Sequence, residues 1–306
     1  MSKIQKRIKF FLIFFIFFLS FLPKIFAQEY GMVLAGGGGK GAYEVGVWKA
    51  LEEYGLSKKI TVISGSSVGG LNAALFSCVS TEQAEELWKS MVPEELQNEE
   101  ELISQSGLMR VLNQVTLETL QSAHFFPKVF ITSVPAKNVI AKIATSWIFE
   151  PGVNARSFLL NEEKSVNEIK QKLLATSAFP IATKKVLLSD GEFYVDGGDE
   201  YRGGDNTPIT PILDKYKPKV DFIITVYLDN HPKKVSNRAK VAKSFDRKKI
   251  LEIIPSEDLG GIFNGTLNFS KEKITSLIDL GYNDTIRILE KSGLKKSKFN
   301  DFWYEE

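Results

Sequence analysis

The residues best able to do chemistry lie in two glycine-rich turns and one Asp-Gly-Gly triplet. Gly65-Ser66-Ser67-Val68-Gly69 fits the spacing G-x-S-x-G between an apolar run and a helical one. That spacing predicts a sharp strand-to-helix turn. Such a turn thrusts the serine Oγ out at the C-terminal edge of a sheet, and the flanking glycines remove side chains that would collide across the bend. The helix N-terminus beneath offers amides and the positive end of its dipole to developing negative charge. Ser67 is thus a candidate nucleophile for acyl transfer. An ordinary Gly/Ser turn fits the same five letters, so the strand–helix context carries the weight.

The second turn, Gly36-Gly37-Gly38-Gly39-Lys40-Gly41, also joins a strand to a helix. Its glycines can aim several backbone N–H groups at one point, which suits a phosphate or an oxyanion. A dinucleotide fingerprint would need an acidic residue about 20 positions on, at the end of the next strand, and that strand ends in Ile63-Ser64. A Walker loop needs Ser or Thr after the lysine, where Gly41 stands. An oxyanion loop is the better reading. Asp196-Gly197-Gly198 places a carboxylate where it could approach a serine or simply open a turn. Asp190, in Asp190-Gly191 between two apolar runs, is accounted for by a hairpin.

These residues need a scaffold, and the sequence alternates strand-like and helix-like segments from Tyr30 onward, which predicts an α/β sheet. Expected strands are Gly31–Ala35, Ile60–Ile63, Lys128–Val134 and Asp221–Leu228, with a hairpin of 186–188 and 193–195. Expected helices carry Val45, Trp48 and Leu51 up to Gly55, then span Leu71–Val79, 165–176 and Lys271–Lys291. Residues 81–123 read as a helical excursion over the sheet, placed to cover a site. No internal repeat is present, and no linker long enough to require a second domain.

Composition narrows the chemistry. The chain has 306 residues, with 39 basic against 37 acidic side chains, too even a balance for a dedicated nucleic-acid binder. His124 and His231 are the two histidines, which excludes a multi-histidine metal site, and the single Cys78 excludes an internal disulfide framework. His231 stands as a remote alternative base. Residues 1–27 combine Lys3, Lys6, Arg7 and Lys9, an apolar run from Phe10 to Leu22, and a small residue at Ala27. That is the pattern of a secretory signal peptide cleaved after Ala27; a retained membrane anchor is the alternative, though the run is short for a span. The expected organisation is a signal peptide at 1–27 and an exported domain at 28–306, periplasmic, outer-membrane-associated or secreted. Without those first residues the chain is mildly acidic, so attraction to a membrane would rest on the basic stretch 233–249, which otherwise reads as a solvated face.

Taken in order, the Gly36–Gly41 loop, the Gly65–Gly69 elbow with Leu71-Asn72-Ala73, and Asp196-Gly197-Gly198 resemble the patatin-like phospholipase family. Ala175-Thr176-Ser177-Ala178-Phe179-Pro180, Asp205-Asn206-Thr207-Pro208 and Gly265–Phe269 with Leu280-Gly281-Tyr282 add to the likeness, which covers roughly residues 30–293. The resemblance implies a three-layer α/β/α sandwich around a mainly parallel sheet and a Ser-Asp dyad without histidine. Ser67 would be the nucleophile, Asp196 the general base, and the amides of Gly37, Gly38 and Gly39 the oxyanion hole, with Val68 a further donor. Lys40 would anchor the loop; Gly65, Gly69, Gly197 and Gly198 would support it. The implied substrate is a lipid ester at a membrane surface, phospholipid first, with no metal, cofactor, nucleic acid or protein partner required. One departure is the insertion of Asp199-Glu200-Tyr201-Arg202-Gly203-Gly204 before Asp205-Asn206, which lengthens the loop and makes Asp199 and Asp205 rival carboxylates. A binding protein that keeps the fold without catalysis and a phosphate-binding enzyme using the glycine loop are the competing classes.

Overall fold

The computed structural model describes residues 28–91, 96, 104–122, 127–136, 154–180, 182–217, 219–230, 245–294 and 296. The expected signal peptide, both histidines and most of the basic stretch lie outside these residues. The strands are β1 (Tyr30–Leu34), β2 (Ile60–Ser66), β3 (Lys128–Pro135), β4 (Arg156–Leu159), β5 (Val186–Leu187), β6 (Phe193–Asp196), β7 (Phe222–Val226) and β8 (Ile250–Ile253). They form one sheet in the order β5-β6-β3-β2-β1-β7-β8, with β4 also paired to β3.

The five strands β3, β2, β1, β7 and β8 are mutually parallel, whereas β4 and β6 pair antiparallel with β3 and β5 pairs antiparallel with β6 at one edge. β1 is buried along its whole length, as a strand covered on both faces must be. The chain moves outward from β1 to β2 and β3, then returns to lay β7 and β8 on the other side of β1. The connections therefore diverge above the C-terminal ends of β1 and β7, where open α/β sheets leave a crevice for ligands.

The helices are α1 (Ala42–Glu53), α2 (Val68–Cys78), α3 (Thr81–Ser90), α4 (Gln105–Leu112), α5 (Val166–Thr176) and α6 (Lys271–Lys291). All pack on one face, against Met32, Leu34, Ile63, Ile131, Ile224 and Val226 of the sheet. The opposite face, with Val33, Val62, Phe130 and Ile223, is closed by Ile209, Ile212, Tyr216 and Val220 around a π-helical turn at Pro211–Lys215. Among the described residues the two outer layers are thus unequal, a thick helical one and a thin cover. α1 and α6 approach closely because each brings a glycine to the crossing. A Cβ on Gly46 would lie 1.9 Å from the Ile278 carbonyl oxygen, and one on Gly281 would lie 2.0 Å from that of Tyr43.

Helix starts follow the capping residues. Ser80 and Gln83 form a reciprocal box at α3, and Ser165 and Ser270 accept amide bonds at α5 and α6. The hairpin at Asp190-Gly191 forms as expected, with Gly191 at φ 78°. Two strands escape the sequence patterns. β4 is a half-covered edge strand, and β8 is four residues long and follows directly on Arg247–Lys249.

Candidate active site

β2 ends at Ser66 and α2 starts at Val68, so Ser67 occupies the turn between them. Its backbone sits at φ 53°, ψ −129°, the one positive φ at a non-glycine position among the described residues. That conformation costs of order 1–3 kcal/mol and persists only where its surroundings enforce it. Here they do. A Cβ on Gly65 would fall 2.2 Å from the Gly69 carbonyl oxygen, and one on Gly69 would fall 2.4 Å from that of Leu34. The Ser67 amide donates to Thr176 Oγ1 at 3.0 Å, and the Ser67 carbonyl accepts from Gly70 and Leu71 in the first turn of α2.

Asp196 arrives from the other side of the sheet. It ends β6, whose antiparallel register sets it opposite Ser133 of β3. Ser67 Oγ donates to Asp196 Oδ2 at 2.6 Å, while the Gly198 amide donates to Oδ1 at 2.7 Å. The carboxyl group is buried, and burial pushes its pKa up to about 7; the two hydrogen bonds pull it down, and the nearby Asp199 charge adds to the rise. Gly197 and Gly198 permit this approach, because a Cβ on the first would lie 1.9 Å from the Thr132 carbonyl oxygen and one on the second 2.3 Å from Asn206 Oδ1.

The inserted carboxylates are occupied elsewhere. Asp199 pairs with Arg202 within its own turn. Asp205 is buried and its Oδ1 accepts the Thr207 amide at 3.2 Å, while its own amide bonds the Gly197 carbonyl. Asp190 accepts from the Glu192 amide and from Tyr194 Oη, a hairpin role.

The glycine loop closes the third side. Gly36 is fixed by a two-way exchange with Asn206: its amide donates to the Asn206 carbonyl at 3.1 Å, and Asn206 Nδ2 donates to its carbonyl at 3.3 Å. Gly38 has φ 57°, and a Cβ there would lie 2.2 Å from the Thr266 carbonyl oxygen. Gly37 and Gly38 share a cavity wall with Ser67 and Val68; Gly39 lies one layer deeper, against Asn268, and is not on that wall. The stem of Lys40 packs on Gly265, 2.8 Å from where a Cβ would stand, consistent with a loop anchor.

The cavity measures about 480 Å³. Beyond Ser67 its wall is apolar, built by Leu71 and Leu75 of α2, Trp88 of α3, Leu108 and Leu112 of α4, and Phe179. The helical excursion thus forms the wall of the site. The model of the patatin-like phospholipase family matches residues 32–213, more than half of the chain and all three motifs. The chain belongs to the patatin-like phospholipase family.

Individual relatives are distant. A stretch of 54 residues, 18% of this chain and 3% of the relative, is 44% identical to lysophospholipase nte1 of Aspergillus terreus. Human GIVD cytosolic phospholipase A2 superposes with a TM-score of 0.50 at 11% identity, over 88% of this chain and 59% of that one. VipD from Legionella pneumophila gives 0.44 at 12% identity, over 86% and 67%. The matched regions span 3% of the fungal protein and 59% of the human chain, both under two thirds.

In this patatin-like protein, sequence reasoning left one role unassigned. Thr176 takes the Ser67 amide on its Oγ1 and the Gly197 amide on its carbonyl, and Ala178 takes the Asp196 amide at 3.0 Å. One short segment at the end of α5, Thr176 to Ala178, thus holds Ser67 and Asp196 together. Its sequence signal was the Ala175–Pro180 run, which carries likeness without chemistry of its own. A second network lies under the glycine loop. Asn72 Nδ2 donates to the Gly41 carbonyl at 2.9 Å and to Glu44 Oε2 at 2.8 Å, and Asn72 Oδ1 accepts from Trp88 Nε1 at 3.0 Å. Burial drives the Glu44 carboxyl well above the usual range, against the hydrogen bonds from Asn72 and Ala35 that lower it.

Proposed function

We propose that the protein is a serine acyl hydrolase that cleaves carboxylic ester bonds of phospholipids and lysophospholipids through a Ser67–Asp196 dyad. The observation that carries this reading is the 2.6 Å hydrogen bond from Ser67 Oγ to a buried carboxylate, at the mouth of an apolar cavity. A serine hydroxyl needs an adjacent base to attack an ester. Asp196, with its pKa raised to about 7, is far better suited to accept that proton near neutral pH than an ordinary carboxylate. The proton passes from Oγ to Oδ2 as Oγ bonds the acyl carbon. The resulting oxyanion faces the Gly37 and Gly38 amides and that of Val68, each donor being worth about 3 kcal/mol of transition-state stabilisation. As the ester C–O bond breaks, Asp196 returns this proton to the departing oxygen, so the alcohol leaves neutral and an acyl-serine remains beside an ionised carboxylate. Water, deprotonated by the same carboxylate, then releases the fatty acid.

The substrate class follows from the wall. An acyl chain bound along Leu71, Leu75, Leu108 and Leu112 replaces water against apolar surface. We further propose export through the signal peptide at 1–27, with residues 28–306 as the mature hydrolase, and an electrostatic contact with anionic lipid through the basic stretch 233–249. The decisive experiment compares wild type with Ser67→Ala on phospholipid vesicles. The variant should keep its fold by circular dichroism and lose fatty-acid release; undiminished release would refute the assignment.

A further inference from the structure

Among the described residues the two most exposed large apolar side chains are Phe263, 83% exposed, and Tyr201, 82% exposed. Ile262, beside Phe263, is 47% exposed. Side chains of this size left in water in one neighbourhood mark a surface that something else covers. These come from segments about sixty residues apart that meet at one opening. Tyr201 lies in the turn Glu200–Arg202, within the insertion that lengthens the loop after Asp196. Both Tyr201 and Ile262 line the mouth of the cavity that leads to Ser67.

Phe263 stands at the tip of the π-helical turn Ile262–Thr266. The far end of that turn is seated on the glycine loop: a Cβ on Gly38 would meet the Thr266 carbonyl oxygen at 2.2 Å, and one on Gly39 the Gly265 carbonyl oxygen at 3.0 Å. The base of the turn is packed and its tip is bare.

We propose that Tyr201, Ile262 and Phe263 form a lipid-docking rim, which enters the interfacial layer of a bilayer or micelle and sets the cavity mouth against the lipid. The inference rests on the acyl-hydrolase reading. A lipid surface, rather than a protein, is the occupant because the rim is continuous with the apolar cavity wall. An acyl chain leaving the bilayer would pass from rim to wall without crossing water. The Tyr201 phenol suits the headgroup boundary, with its ring apolar and its hydroxyl wet, while the wholly apolar Phe263 ring suits the acyl region just beneath it. Charge does not drive this contact: Arg202 is paired with Asp199, and Glu200 and Asp229 also line the opening. Docking by the rim is therefore insensitive to salt, unlike any contact made by the basic stretch.

The test uses the full chain, phosphatidylcholine vesicles at high salt, and a short-chain ester that stays monomeric. Phe263→Ser should lower vesicle affinity about tenfold, as expected for removing one inserted aromatic ring, and leave turnover of the monomeric ester as in wild type. Phe263→Trp should bind as wild type does and show a blue-shifted emission when vesicles are added. Unchanged vesicle affinity in Phe263→Ser, or an unshifted Phe263→Trp emission with vesicles bound, would overturn the rim. Equal loss on the monomeric ester would place Phe263 in the site itself and also overturn it. A wild type that binds vesicles through Phe263 yet hydrolyses neither ester would refute the hydrolase reading and leave the rim standing.

Discussion

Replacing Asp196 by Asn should make the protein relatively more stable at alkaline pH while silencing it. The Asp196 carboxyl is buried, with its pKa raised from 3.8 to about 7. In the unfolded chain it ionises near its ordinary value, so between about pH 4 and 7 the folded protein holds the extra proton. Stability contributed by this group is present in full below pH 4 and is lost as pH rises toward 7, because the folded state must then accept a buried negative charge. At 1.36 kcal/mol per unit, a rise of about three units amounts to about 4 kcal/mol, of which about 3 kcal/mol is lost between pH 5 and pH 8. Asp196→Asn carries no such charge. The difference in unfolding free energy, variant minus wild type, should therefore grow by about 3 kcal/mol from pH 5 to pH 8. Glu44, also buried with a raised pKa, gives a slope of the same sign to both proteins and cancels in the comparison. Urea denaturation followed by tryptophan fluorescence at the two pH values measures this. In the same preparations, wild-type kcat/KM for an ester should climb through about pH 7 to a plateau, since the base must be ionised, and the variant should be nearly inactive throughout. A stability difference that does not change with pH would refute the reasoning, for it would mean that Asp196 titrates as an ordinary carboxyl and carries no special basicity.

Ser67→Gly should raise stability by about 1–2 kcal/mol while abolishing activity, because glycine adopts φ 53° without strain; thermal denaturation decides, and a less stable variant would mean the elbow is unstrained. Thr176→Val removes the acceptor of the Ser67 amide and the donor to the Thr132 carbonyl. It should cost about 1–3 kcal/mol in urea melts and lower kcat with little change in KM, as a misplaced nucleophile does. Leu75→Trp fills the cavity wall two helical turns beyond Ser67. It should shift preference toward shorter acyl chains in a release assay across chain lengths, and an unaltered preference would remove this wall from the acyl-binding path.

What the sequence disclosed, and what it withheld, follows from the range of each interaction. The strand–glycine–helix units around Gly36–Gly41 and Gly65–Gly69 are local, and their residue types are dictated by clashes within a few positions, so both were readable and both stand where expected. The hairpin at Asp190-Gly191 is local for the same reason. Asp196 was ambiguous by itself, because an Asp-Gly-Gly triplet is a good turn whether or not a serine lies 129 residues away in sequence. Only the pairing of β6 with β3 brings it to Ser67. The elimination of Asp199 and Asp205 is likewise a matter of tertiary placement: each has found a partner within its own loop, which no spacing rule distinguishes from a free carboxylate. Strand β8 does carry apolar residues, Ile250, Leu251 and Ile253, but at four residues beside the basic run Arg247–Lys249 it is too short for a periodicity to announce it.

Thr176 makes the same point in the opposite direction. A threonine ending a helix is unremarkable in sequence, yet its side chain and carbonyl tie the Ser67 amide to the strand end that carries Asp196. The strain at Ser67, the burial of Asp196 and this clamp form one device. Both costly features, a left-handed serine and a carboxylate removed from water, persist because the Thr176–Ala178 segment at the end of α5 fixes their backbones independently of the hydrogen bond between them. That independence predicts that Ser67→Ala, which deletes the Oγ–Oδ2 bond, leaves the Ser67 amide on Thr176 and the elbow geometry in place. Removing the clamp, by contrast, should disturb the dyad even with both of its members intact.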